Sequence, residues 1–160
     1  TLGILDHERK HQECEPEADV ISRIVCRMIT HFGIQPDKIA IISPHRAQNN
    51  AISARLSVLL DNPDENGLPL IDTVERVQGA ERDVIIFGFT TSDRDHVMSE
   101  FLNNPNRFNV VITRARKKLI VIGSRIFFSS IPNTEKGLQG NACFKQFYYH
   151  CEEQKSLFFL

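Results

Sequence analysis

The feature that most constrains this chain is a set of short apolar runs without polar alternation. "KIAIIS" (Lys38–Ser43), "VIIFGF" (Val84–Phe89) and "LIVIG" (Leu119–Gly123) carry apolar side chains on successive residues. A strand with one face in water alternates polar and apolar positions, so such runs fit strands covered on both faces. Between them lie stretches whose apolar residues recur at steps of three and four. Ile21, Ile24, Val25, Met28, Ile29 and Phe32 form one set, and Ile52, Leu56, Leu59 and Leu60 another. Two further runs, Gly3–Asp6 and Leu70–Val74, complete five expected strands. The alternation predicts an α/β fold, a parallel sheet flanked by helices on both faces.

Local signals place the boundaries. Pro16 suits a first helical turn and Gly33 a helix stop. Ser43 with Pro44, and Asn104 with Pro105, read as cap and first turn. The second pair opens a helix expected to run to about Arg116. Asn62–Gly67 is turn-rich and Ser92–Glu100 is a charged loop. The tail, Phe127–Leu160, is less regular. Ala142–Glu153 is expected to be a helix with Phe144, Phe147 and Tyr148 inward. Residues 1–160 are expected to form one domain, with 125–160 an extension packed on it. The start at Thr1 fits a piece of a longer chain.

Charge narrows the options. The 160 residues carry a net charge of -1, so no global basic field points to a polyanion. From Phe101 to Thr134, however, there is no Asp or Glu, while Arg107, Arg114, Arg116, Lys117, Lys118 and Arg125 all fall there. That zone reads either as a seat for an anion or as a solvated helix end. At about 100° per residue, Arg107 and Arg114 share one flank of the expected helix and Arg116 lies on the other, with Phe101, Phe108, Val111, Ile112 and Ala115 as the buried stripe. A guanidinium on that rim can reach outward, and its fork matches phosphate oxygens.

Cys14, Cys26, Cys143 and Cys151 form no C-x-x-C pair, which fits a reduced, intracellular protein. A metal bound by Cys14 with His7 or His11 falls short of the four spaced ligands of a closed zinc site, so no metal is expected. No run is long and apolar enough to predict a membrane span.

Three segments, taken together, carry a resemblance. "FLNNPNRFNVVITRARKKLIVIGS" resembles motif VI of superfamily 1 helicases, "IDTVERVQGAERDVIIFG" their motif V, and "IISPHRAQNN" their motif IV. The match spans Glu17–Ser124 in the family's order and spacing. Its "QGxExD" and "NRxNVxxTRA" forms are similar to the branch that includes the RNA-decay helicases, which usually moves 5′ to 3′. The resemblance implies a RecA-like second motor domain, with ATP and Mg2+ held mainly by a first, N-terminal RecA-like domain, and single-stranded DNA or RNA as partner. It implies Arg114 as an arginine finger toward the γ-phosphate, with Arg46 approaching the same group. Gln78, Gly79, Glu81 and Gln48 are then cofactor-binding candidates. Thr73 and Arg76 become candidate contacts to the nucleic-acid backbone. His45 stands where the family often has Tyr.

Plainer readings stand beside these. Gln78-Gly79 is also an ordinary turn before a strand, and Thr73 a β-former at a strand end. Arg116 and Lys117 read better as exposed partners of carboxylates, and Asp83 as a solvated strand residue. No G-x-x-x-x-G-K-[ST] occurs, and the one Asp-Glu pair, Asp64-Glu65, sits in a turn-like "NPDENG". The chain alone is therefore expected neither to hydrolyse ATP nor to unwind a duplex. Two other functions fit less of the sequence: a docking module for nucleic acid or protein that has lost its motor, and an unrelated nucleotide binder using "VQGAERD" as its phosphate loop.

Overall fold

The structure is a computed structural model that describes the chain apart from residues 8–12, 62, 64–66, 78–80 and 91–103. The elements are β1 (Leu2–Leu5), α1 (Glu15–Thr30), a 3-10 turn (Pro36–Lys38), β2 (Ile39–Ser43), α2 (Arg46–Leu59), β3 (Leu70–Thr73), β4 (Arg82–Gly88), α3 (Pro105–Ile112), β5 (Ala115–Ser124), α4 (Arg125–Ser129), α5 (Glu135–Glu153) and β6 (Leu157–Phe159). The six strands form one sheet in the order β3-β2-β4-β5-β1-β6, and every neighbouring pair is parallel.

The unbroken apolar runs follow from this layering. Successive side chains of a strand point to opposite faces, and here both faces are dry. Ala40, Ile42, Ile85, Phe87 and Val121 join one core with Phe108 and Val111 of α3, Phe127 and Phe128 of α4, and Phe144 of α5. Ile39, Ile41, Val84, Ile86, Ile120 and Ile122 join the other with Ala18, Ile21 and Val25 of α1 and Ile52 and Leu56 of α2. Pro16 stands in the first turn of α1, and Gly33 takes φ 65 just past its end, a conformation that costs a glycine nothing.

Four expectations need correction. The sheet has six strands, not five. Leu157–Phe159 becomes a strand by pairing with β1, where Leu2 N donates to Ser156 O and Leu160 N to Ile4 O, both at 2.9 Å. The helix opened by Asn104 ends at Ile112 rather than near Arg116. Thr113 caps it, its hydroxyl donating to Asn109 O at 2.8 Å, and β5 follows with almost no loop. Arg116 therefore stands, with Lys117 and Lys118, at the exposed start of a strand and not on a helix flank. Finally, α2 begins at Arg46 behind His45, not at Ser43-Pro44. The Ser43 hydroxyl donates instead to Asn49 Oδ1 at 2.8 Å and is buried. The turns and loops expected at 62–67 and 92–100, and Phe101 of the apolar stripe, fall largely or wholly outside the described residues.

Candidate functional site

The segment from Val74 to Val77 and helix α3 lie together on one face of the sheet. Val74 and Val77 are buried in the same core as Phe108 and Val111. Glu75 clamps the two pieces by pairing with Arg107 at 3.0 Å. Glu75 carried no signal in the sequence, because its partner is 32 residues away in a different motif. Asn104 caps α3, its side chain accepting from the main-chain N–H groups of Asn106 and Arg107 at 3.0 and 3.4 Å.

Arg114 stands between α3 and β5 and is held along its length. Its N–H donates to Val111 O at 3.1 Å, its carbonyl accepts from Arg82 N at 3.1 Å, and its Nε donates to Val110 O at 3.3 Å. Among the described residues no carboxylate pairs with Arg114. Its neighbours differ: Arg107 meets Glu75, Arg116 meets Glu81 at 3.1 Å, and Lys117 meets Asp83 at 2.8 Å. The Lys117 hydrogen bond, with its charge, holds the Asp83 carboxyl below its ordinary range. Arg116 and Lys117 thus take the plain structural role read from the sequence. Glu81 is exposed and engaged by Arg116.

The other candidates sit elsewhere. Arg46 is the exposed first residue of α2, just past the end of β2. Thr73 ends β3 in register with Ser43, and its carbonyl accepts from Arg76 N at 3.1 Å. Arg46, Thr73 and Arg76 therefore gather at the carboxyl ends of the strands. Arg76 is largely exposed, 3.8 Å from Asp72. Arg114 lies at the amino end of β5, where Ala115 pairs with Arg82. Between these ends runs β4, roughly 20 Å of strand at about 3.3 Å per residue. Arg46 and Arg114 thus stand at opposite ends of the strands.

Gln48 is buried, and both ends of its amide are engaged inside the domain. Its Oε1 accepts from Cys14 N at 2.7 Å and its Nε2 donates to Cys14 O at 3.1 Å, tying α2 to the start of α1. Gln78 and Gly79 lie outside the described residues.

Known proteins match this arrangement. Residues 5–126 match the model of a family described as an AAA domain. A DNA replication ATP-dependent helicase/nuclease DNA2 from Bos taurus is 35% identical over 104 residues, 65% of this chain and 9% of that protein. A putative helicase MOV-10 from Gallus gallus is 35% identical over 140 residues, 77% of this chain and 14% of that protein. The chain thus spans a small fraction of these relatives. The solved C-terminal domain of a possible DNA helicase from Lactobacillus plantarum superposes with a TM-score of 0.50 at 14% identity, covering 78% of this chain and 76% of that one, and so speaks for the fold alone. No described helix is long and apolar enough to cross a membrane. With the family model covering most of its length and a six-stranded parallel sheet beneath the three motifs, the chain belongs to the AAA-domain family as a superfamily 1 helicase C-terminal domain of RecA-like fold.

Proposed function

We propose that this domain is the second motor domain of an ATP-dependent helicase or translocase acting on single-stranded DNA or RNA inside the cell. ATP and Mg2+ are held mainly by an N-terminal RecA-like domain of the same protein, and Arg114 completes the site from outside. What carries the reading is the contrast among neighbouring cations. Arg107 and Arg116 are neutralised by carboxylates, while Arg114 is anchored through Nε to a helix carbonyl with no such partner among the described residues. An anchored guanidinium without a counter-charge fits an anion that arrives from another body.

Phosphoryl transfer is accelerated by positive charge placed where negative charge builds up. When that charge comes from a second domain, turnover depends on closure of the two, which links hydrolysis to movement. Glu81, with Gln78 and Gly79 of the same segment, would line the phosphate side, Glu81 also fixing Arg116. Gln48 would act at one remove, by setting the start of α1. At the other end of the sheet, Arg46, Thr73 and Arg76 share an edge suited to backbone phosphates, which are bound through charge and main-chain geometry without reading sequence.

The test is Arg114→Ala in the full-length protein. Nucleic-acid-stimulated ATP hydrolysis should fall by about 10³–10⁵-fold, the range for a lost arginine finger, while single-strand affinity stays near wild type. Hydrolysis within a few-fold of wild type would refute the assignment. Loss of strand binding with basal, unstimulated hydrolysis intact would move Arg114 to the nucleic-acid side.

A further inference from the structure

Beside the carboxyl end of β4, the fold buries a histidine, a cysteine and a glutamate against one another. The side chains of His7 and Glu17 are 5% and 0% exposed, and Cys14 is fully buried. His7 Nε2 is 3.1 Å from Glu17 Oε1, and both His7 ring nitrogens are 3.6 Å from Cys14 Sγ. One donor atom from each residue lies within 4.8 Å of the other two.

We propose that His7 Nε2, Cys14 Sγ and Glu17 Oε1 bind a zinc ion. Zinc takes sulfur at about 2.3 Å and nitrogen or oxygen at about 2.0–2.2 Å in a tetrahedron, which sets its donors roughly 3.3–3.6 Å apart. The two separations along this cluster are close to the edges of such a tetrahedron. Imidazole and thiolate together select zinc over magnesium or calcium, which prefer all-oxygen shells. Three protein donors leave the fourth position to water.

The surroundings hold each donor in place. Gln48 fixes the main chain of Cys14 on both its N–H and its carbonyl. Thr90 N donates to Glu17 Oε2 at 2.8 Å, which turns Oε1 toward His7 and Cys14. Such outer contacts orient metal ligands. Thr90 makes that bond from φ 68, where a β-branched residue is rarely found. Its buried hydroxyl has no hydrogen-bond partner among the described residues. Gly88 leaves the space, since a Cβ there would lie 3.1 Å from Glu17 Oε2. Charge points the same way. A dication with one thiolate, one carboxylate and a neutral imidazole sums to zero, the condition a buried cluster favours. The ion would pin the β1–α1 connection to the end of β4.

The experiment is metal analysis of the chain purified without chelator, followed by cobalt titration of the stripped chain. About one zinc per chain is expected. Cobalt should give the visible bands of a tetrahedral site and a thiolate-to-cobalt charge-transfer band. That band should vanish in Cys14→Ser and survive in Cys26→Ser and Cys143→Ser. If Cys14→Ser does not fold, X-ray absorption of the zinc-loaded wild-type chain decides. One sulfur with nitrogen and oxygen neighbours supports the site, and a shell without sulfur overturns it. A folded wild-type chain that takes up neither zinc nor cobalt also overturns it, leaving the three side chains as a hydrogen-bonded cluster.

Discussion

Arg107, Arg116 and Lys117 meet carboxylates at the surface, whereas Glu17 meets His7 where solvent does not reach. The separations are nearly the same, 2.8–3.1 Å in the first set and 3.1 Å in the second. The energetics are not. Exposed pairs gain little in a high dielectric and lose side-chain freedom, for a net of about 0–1 kcal/mol. A buried carboxylate has given up its hydration, so removing its partners or removing it leaves polar groups stranded, at about 3–5 kcal/mol. Distance alone therefore does not rank these contacts; the surroundings do. The surface pairs also have a positional use, because they tie Glu75 to α3, and Glu81 and Asp83 to the start of β5, while no carboxylate among the described residues pairs with Arg114.

The strongest way to break this contrast is Glu17→Ala, assayed by denaturant unfolding in the presence of chelator so that metal plays no part. His7 loses its partner and Thr90 N its acceptor, so the expected loss is about 3–5 kcal/mol. A loss under 1 kcal/mol would put Glu17 on the same footing as the surface pairs. Next comes Arg116→Ala. Both members of its pair are at least half as exposed as a free side chain or nearly so, and the expected loss is about 0.2–1 kcal/mol, shrinking in high salt. A loss above 2 kcal/mol would show that this pair braces the strand start more firmly than its exposure allows. The smallest effect is in pH dependence. Because the folded state lowers the Asp83 carboxyl, its pairing with Lys117 contributes stability above the ordinary value of 3.8 and loses it as pH falls through the lowered folded value. An NMR titration should find the Asp83 midpoint below 3.8, moving up in Lys117→Ala; an unchanged midpoint would remove the lysine as the cause.

What the sequence revealed depends on how far each interaction reaches along the chain. The strands β2, β4 and β5 were legible because burial on both faces leaves a run of apolar residues that needs no partner to be recognised. The helices α1 and α2 were legible from their spacing. The end of α3 was not. Arg114 and Arg116 continue a helical spacing, and only pairing between Ala115 and Arg82 turns that stretch into a strand. β6 escaped because three residues carry no period of their own. Around the site, Arg114 stood out by its motif and the charge zone, but the separation of Arg46 from it follows from strand direction. The His7–Cys14–Glu17 cluster was only half visible. His7 and Cys14 are near in sequence, yet Glu17 reads as an ordinary acidic residue of a first helical turn until Thr90, 73 positions away, closes on it.

The aromatic packing under α3 has a mechanical consequence. Phe108 lies 6.1 Å from both Phe87 and Phe89, 5.0 Å from Phe144 and 5.3 Å from Phe147, ring centre to ring centre. A helix of only two turns is thereby bolted to the sheet on one side and to α5 on the other. Close-packed interiors yield little, so the backbone that carries Arg114 just past that helix is held by both the sheet and α5. Under the function proposed above, Arg114 then travels with its domain as a single piece.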